Sequence, residues 1–481
     1  MSFIQNACPC SYISPKLGTL ENPRKFRNQD YDMLRKRHLK RGDLFSDESF
    51  TANKKSIGWR QRTDFHLDAV IWKRPKDVCD NPQFIVDGTS PLDILQNQLG
   101  DCWFLCSIAT VTTKPEVLDN IVPRDQGFNE NYAGIFRFRF WQLGEWFEVV
   151  VDDQLPFLDD GGNCNFLSAI PPNGNEFWPC LLEKAYAKLV GSYESLDGGY
   201  SADAFRNLTG ALSISSDLKD QGAPNWDMIC WASRNSVMAC NTNDEANESK
   251  NLISDHAYSI TSYATVPFRD EYVRLIQVRN PWGQTEWTGD WSDSSPLWNE
   301  LIQEDRERLQ KVQEDGQFWI RWEDFITEFS NITICSQVPD FLDGGNDPNR
   351  WQRLMFPGRW TKDNITWTIT FEELLMKNPS YEITVTGSEA KGRLNVVISL
   401  IQNIRNRHKF GDWLPIGFML YKLEDYLNKA TDQWMSSVFR SKPCVNEKYS
   451  LEPGKYCIIP ATSQGHHKST FLLQAFVKSL P

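Results

Sequence analysis

The chain has 481 residues, a net charge of −12 and a pI near 5.2, a balance that argues against nucleic acid as its main partner. That length holds about three domains with sizeable cores. No apolar run reaches the ~18 residues of a membrane span, and no secretory leader pattern opens the sequence.

The 12 cysteines are scattered, without the paired spacing of a disulfide framework or a zinc finger, which points to a reducing, cytoplasmic setting. Residues 1–43 are polar and basic and read as an N-terminal arm. Its cluster Arg35-Lys36-Arg37 with Lys40-Arg41 reads as the solvated face of a short helix. Residues 44–199 mix helical and strand patterns. Within them, Gln96-Asn97-Gln98-Leu99-Gly100-Asp101 is a polar turn, followed by Trp103, Phe104, Ile108 and Val111 at helical spacing. A helix is therefore predicted to begin at Cys102, where dipole and unpaired N–H groups make a thiol more acidic.

Further on, Phe136, Phe138 and Phe140 alternate with Arg137 and Arg139, and Leu143-Gly144 turns the chain into Trp146–Val151. This predicts a hairpin with one wet face. Residues 200–341 are dominated by strands. Those beginning near Ser254-Asp255-His256 and ending at Arg279-Asn280-Pro281-Trp282 flank a turn at Val266–Asp270, a second antiparallel hairpin. His256 and Asn280 are equidistant from Phe268, so the pattern predicts that they face each other. After a linker-like stretch from Asp343 to Pro348, residues 346–481 alternate as short strands: Trp367–Thr370, Tyr381–Val385, Leu394–Ile398, Tyr456–Pro460 and Thr470–Leu473. That predicts an all-β sandwich.

Cys102 as nucleophile, His256 as base and Asn280 as the group orienting the imidazole form a papain-type constellation drawn from two lobes. Of the six histidines, His38 and His408 sit in basic stretches, His466-His467 in a polar loop, and His66 lacks an Asn-Pro-Trp partner. Two other readings compete: a non-catalytic scaffold that binds partners, and a transglutaminase-like acyl transferase, which would carry aspartate where Asn280 stands.

Together, Gln-x-x-Leu-Gly-Asp-Cys-Trp-Phe at 96–104, His-Ala-Tyr-Ser-Ile at 256–260 and Arg-Asn-Pro-Trp-Gly at 279–283 resemble the calpain cysteine proteases. The likeness runs from about residue 40 to the end, through Trp72-Lys73-Arg74-Pro75, Glu183–Lys188 and Leu451–Tyr456. It implies an α+β protein with a two-lobed papain-like core followed by a calpain-type β-sandwich. The implied activity is calcium-regulated intracellular limited proteolysis of protein substrates. Gln96 and the Cys102 N–H would then bind the oxyanion. Trp282 would shield the His256–Asn280 pair and wedge the lobes apart until calcium closes the cleft.

The resemblance also implies two Ca²⁺ sites. One comprises the carbonyls of Val86 and Gly88 with Asp93 and Glu176. The other comprises Glu286, Asp293, the Gln313 carbonyl, Asp315 and Gln317. Gln317 stands where the family has glutamate and Pro91 where it has an arginine, so weaker or less cooperative calcium activation is expected. Asn97 and Asp255 replace glycines, and both residue types tolerate left-handed backbone; Asp255 is also expected to raise the His256 pKa. No Asp-x-Asp-x-Asp-Gly loop of an EF-hand occurs, so partnering with a small regulatory subunit is not expected. The stretch Ser388–Gly392 is too short and mixed in charge for an acidic membrane or calcium loop.

Overall fold

The computed structural model describes residues 16–58, 67–159, 161, 164–244, 246, 248–345, 350–364, 377–386, 393–407, 413–424, 435–463 and 468–479. The expected strand Trp367–Thr370, the stretch Ser388–Gly392, the second half of the Asp343–Pro348 linker, and His66, His408, His466 and His467 lie outside them.

The predicted helix forms as Cys102–Thr112, and every residue after Cys102 is buried. A helix apolar on all sides belongs inside a core rather than on its surface. Its polar members are satisfied locally: Ser107 Oγ donates to the Trp103 carbonyl at 2.8 Å and Thr110 Oγ1 to the Cys106 carbonyl at 2.9 Å. Phe104 stacks on Tyr186 of the helix Trp178–Val190, with ring centroids 4.1 Å apart.

The hairpin Ile135–Gln142/Glu145–Asp152 turns at Leu143 (φ 48°) and Gly144 (φ 95°), the left-handed pair that matches strand twist in a two-residue loop. The phenylalanine face is fully buried, as alternation requires. The opposite face is not simply wet. The helix Tyr31–Arg41 lies across it, placing the Tyr31 ring 4.3 Å from the Arg137 guanidinium. Arg24–Lys25 adds a parallel strand to the same sheet, so residues of the arm complete this lobe. Two buried ion pairs, Lys184–Asp152 and Lys188–Asp47, stitch the helix Trp178–Val190 to it.

The second lobe is a six-stranded antiparallel sheet in the order Gln317–Arg321, Glu271–Arg279, Ala257–Phe268, Ser236–Asn241, Asn331–Ser336, Leu212–Asp217. It meets the Cys102 helix along the strand Ala257–Phe268, where Ser259 Oγ donates to the Cys106 carbonyl at 2.8 Å. The C-terminal region is a sandwich of two antiparallel sheets closed over Ile398, Leu400, Ile416, Phe418, Ile458 and Leu473. One sheet is built on Trp351–Trp360, Val396–Gln402, Cys444–Tyr449 and Ser469–Lys478. The other is built on Tyr381–Val385, Pro415–Lys422 and Gly454–Thr462. The architecture is α+β with a β-rich C-terminal region.

Candidate active site

Cys102 opens its helix as a partly buried residue, and the Ala257 backbone N–H is close enough to favour its thiolate. Ala257 follows His256 and begins the facing strand, so the thiol and the imidazole come from adjoining ends of two lobes. The sequence pattern predicts an acidified thiol, and the structure overturns this. Burial pushes Cys102 up to about 11, Asp101 adds to the rise, and the Ala257 and Trp103 N–H groups only partly offset it.

His256 is buried and its Nε2 lies 2.9 Å from Asn280 Oδ1. The same oxygen accepts the Trp282 backbone N–H at 3.0 Å, while Asn280 Nδ2 donates to the Thr285 carbonyl at 3.2 Å. These partners fix the amide orientation, which in turn assigns the ring proton to Nε2 and leaves Nδ1 as the acceptor. Burial lowers the His256 pKa to about 4, with the Asn280 bond opposing it. Asp255 takes the left-handed backbone (φ 48°) its residue type tolerates, but no rise in the His256 pKa accompanies it.

The expected face-to-face register of His256 and Asn280 is not what pairs them. Arg279 pairs with Ser259, and the register slips at Gln277/Val278, so His256 lies just beyond the strand end. It reaches Asn280 from there because Thr242 holds its backbone, accepting the His256 N–H at Oγ1 (3.1 Å) and donating its own N–H to the His256 carbonyl (3.0 Å). A bulge of this kind re-aims side chains that simple strand symmetry would place opposite each other.

Gln96 is buried beside the nucleophile loop. Its Nε2 donates to the Leu99 carbonyl at 2.8 Å, which engages one of its two amide protons, and its Oε1 has no partner among the described residues. The Trp282 ring sits with its centroid 4.9 Å from that of His256, against the imidazole it is expected to shield. Asn97 does not use left-handed backbone; its side chain donates to the Phe166 carbonyl.

The residues expected to bind calcium fall in two loops. In the first, Glu176 Oε1 accepts the Val86 N–H at 3.1 Å, and Asp93 accepts the Ser90 N–H at 2.7 Å; Gly88 (φ 101°) turns the loop. In the second, Glu286 Oε1 accepts the N–H groups of Asp315 (3.0 Å) and Gly316 (2.8 Å), Asp293 accepts that of Gln313 (3.2 Å), and Asp315 that of Gln317 (2.9 Å). Among the described residues no three ligating side chains converge into a preformed metal site. The donor chemistry nevertheless fits a hard cation. Glu176 and Glu286 are pushed up to about 7 and Asp293 to about 6, first by burial and then by neighbouring carboxylates, and no ion pair among the described residues neutralises them.

A thiol at a helix mouth, an imidazole just before the facing strand and an amide bonded to that imidazole are the groups that nucleophilic acyl transfer needs. Residues 45–336 match the family described as calpain family cysteine protease, and residues 356–476 match calpain large subunit, domain III. The chain is 38% identical to calpain-8 of Mus musculus, 37% to the calpain-2 catalytic subunit of Bos taurus and 36% to the calpain-1 catalytic subunit of Macaca fascicularis. Each alignment covers 96% of this chain and 69%, 69% and 68% of the relative respectively. The chain belongs to the calpain family of cysteine proteases.

Proposed function

We infer that the protein is a calcium-regulated cysteine endopeptidase that makes limited cuts in other proteins. The observation that carries this reading is the 2.9 Å contact of His256 Nε2 with Asn280 Oδ1, at the end of the strand that packs on the helix opened by Cys102. In the proposed reaction the Cys102 sulfur attacks the scissile carbonyl as its proton passes to His256 Nδ1. The tetrahedral oxyanion is held by the Cys102 N–H and the free amide proton of Gln96, a donor worth roughly 10²–10³ in rate. His256 then protonates the leaving amine, and water, deprotonated by the same imidazole, releases the acyl group.

Asn280 keeps the ring in the tautomer this requires, and Trp282 excludes water from the pair. Because burial holds both Cys102 and His256 neutral at rest, proton transfer accompanies attack instead of preceding it. Val86, Gly88, Asp93 and Glu176 would hold one Ca²⁺, and Glu286, Asp293, Gln313, Asp315 and Gln317 a second. The ion supplies charge that the half-buried carboxylates otherwise lack. The ten cysteines of the described residues are all free, and no described helix is long and apolar enough to cross a membrane, which supports a cytoplasmic site of action.

Casein cleavage with calcium in excess tests the reading. Cleavage by the wild type that disappears in Cys102→Ala is expected. Partner binding without cleavage would instead favour the scaffold, and isopeptide products the acyl transferase.

A further inference from the structure

Three contacts lace the lobes together immediately beside the proposed triad. Arg279 Nη1 crosses from the second lobe and donates to the Ile94 carbonyl at 2.9 Å. The Gln96 backbone N–H donates back to the Pro281 carbonyl at 2.8 Å. Between them Leu95 packs onto Gly283 (φ 68°) so tightly that a Cβ there would stand 2.5 Å from its Cδ2. One side of this seam, residues 94–96, ends in the proposed oxyanion donor. The other side, residues 279–283, carries Asn280 and Trp282.

Arg279 is an expensive residue in this place. It is 1% exposed, its Nε has no partner, and it forms no ion pair among the described residues. The charges it faces are Asp93 of the first lobe and Asp315 of the second. A buried guanidinium with so few partners costs stability, and an apolar side chain would serve packing better. What an apolar side chain lacks is the donor that reaches across to Ile94.

We propose that Arg279 is a positioning residue that holds 94–96 against 279–283, so that the Gln96 amide and the His256–Asn280 pair address one and the same carbonyl. The inference rests on the peptidase reading. The chemistry demands such a device because sulfur and imidazole belong to different lobes, and a misplacement of about 1 Å costs about 10²-fold.

Arg279→Gln and Arg279→Lys test it with three readouts, with calcium in excess. Iodoacetamide alkylation of Cys102 uses the thiol and its base but not the Gln96 amide, whereas a peptide aldehyde requires both sides of the seam. Its adduct forms an S–C bond while the carbonyl oxygen takes the thiol proton. For Arg279→Gln, aldehyde affinity and kcat are each expected to fall by about 10-fold or more, with KM and the alkylation rate changed less than about threefold. Arg279→Lys, which keeps a donor, recovers part of both.

Hydrogen exchange adds a readout independent of activity: in Arg279→Gln a peptide covering 94–99 exchanges faster while one covering 135–152 does not. Unchanged exchange at 94–99 together with unchanged aldehyde affinity would overturn the proposal. So would equal loss of both probes with faster exchange throughout the chain. A wild type that forms no aldehyde adduct at Cys102 defeats the peptidase reading instead, and the exchange comparison still decides the seam.

Discussion

The carbonyl of Gly316 accepts the backbone N–H of Asn280 at 2.8 Å, so the acidic loop 313–317 and the partner of the imidazole share one hydrogen bond. Gly316 has φ 82°, and a Cβ there would stand 2.6 Å from the Asn280 carbonyl oxygen and 3.0 Å from Gly283 Cα. Glycine is required twice over, for its backbone and for the close approach. Gly316→Ala is expected to cost about 1–3 kcal/mol in a denaturant titration. Peptide hydrolysis by the fraction still folded should drop as well, because the clash is with Asn280 itself. Full specific activity in Gly316→Ala would show that the loop and Asn280 move independently.

Asn280 Oδ1 serves two donors, the His256 ring and the Trp282 backbone. Asn280→Ala leaves a buried imidazole N–H without an acceptor and frees the ring to rotate. The expected result is a kcat lower by about 10²-fold, with a smaller change in KM, in steady-state peptide hydrolysis.

Because His256 is neutral and buried, its folded pKa of about 4 lies below the ordinary 6.5. The unfolded chain takes up this proton first as pH falls. The neutral ring therefore contributes nothing unfavourable above pH 6.5, and the native state loses stability between 6.5 and about 4, by about 3 kcal/mol in total. His256→Gln should flatten that part of the stability–pH curve, read as urea midpoints across the interval. Identical curves for the two proteins would mean that His256 is not the titrating group.

The second acidic loop presents Glu286, Asp293 and Asp315 with a neutral Gln317 beside them. Gln317→Glu adds a charge and is expected to tighten binding of terbium, displaced by calcium, by about 10-fold in luminescence titrations. Asp315→Asn should weaken it. Binding should strengthen as pH rises through 6 to 7, where Asp293 and Glu286 release their protons. A Gln317→Glu titration that overlays the wild type would show that position 317 contributes no ligand.

Asp47 faces Lys188 with both side chains buried, and Asp47 also takes the Gln29 amide. Asp47→Ala leaves the ammonium without its counter-charge. A loss of about 3–5 kcal/mol in chemical denaturation is expected. A loss below about 1 kcal/mol would mean that the Lys188 side chain finds water instead.

Local patterns carried much of this site. The polar turn before Trp103 and the helical spacing after it fixed the start of the Cys102 helix, and Leu143-Gly144 marked a two-residue turn whose two φ values are both positive. The hairpin bearing His256 and Asn280 was also legible. Its register was not, because a bulge at Gln277/Val278 has no sequence mark and the grip of Thr242 on His256 joins separate strands. The helix terminus that would acidify the thiol is visible in sequence, whereas the burial that raises the Cys102 pKa is a tertiary property. Arg279 stood in plain sight inside Arg-Asn-Pro-Trp-Gly, yet only tertiary structure gives it a carbonyl to reach.

The most direct measurement is to trap the acyl-enzyme. A peptide thioester is incubated with the protein and calcium, quenched in acid and digested, and the modified residue is located by mass spectrometry. The account predicts one acyl group, on the fragment carrying Cys102, formed at least about 10²-fold more slowly in His256→Ala. Acylation of another cysteine, or a Cys102 rate that ignores His256, would contradict it.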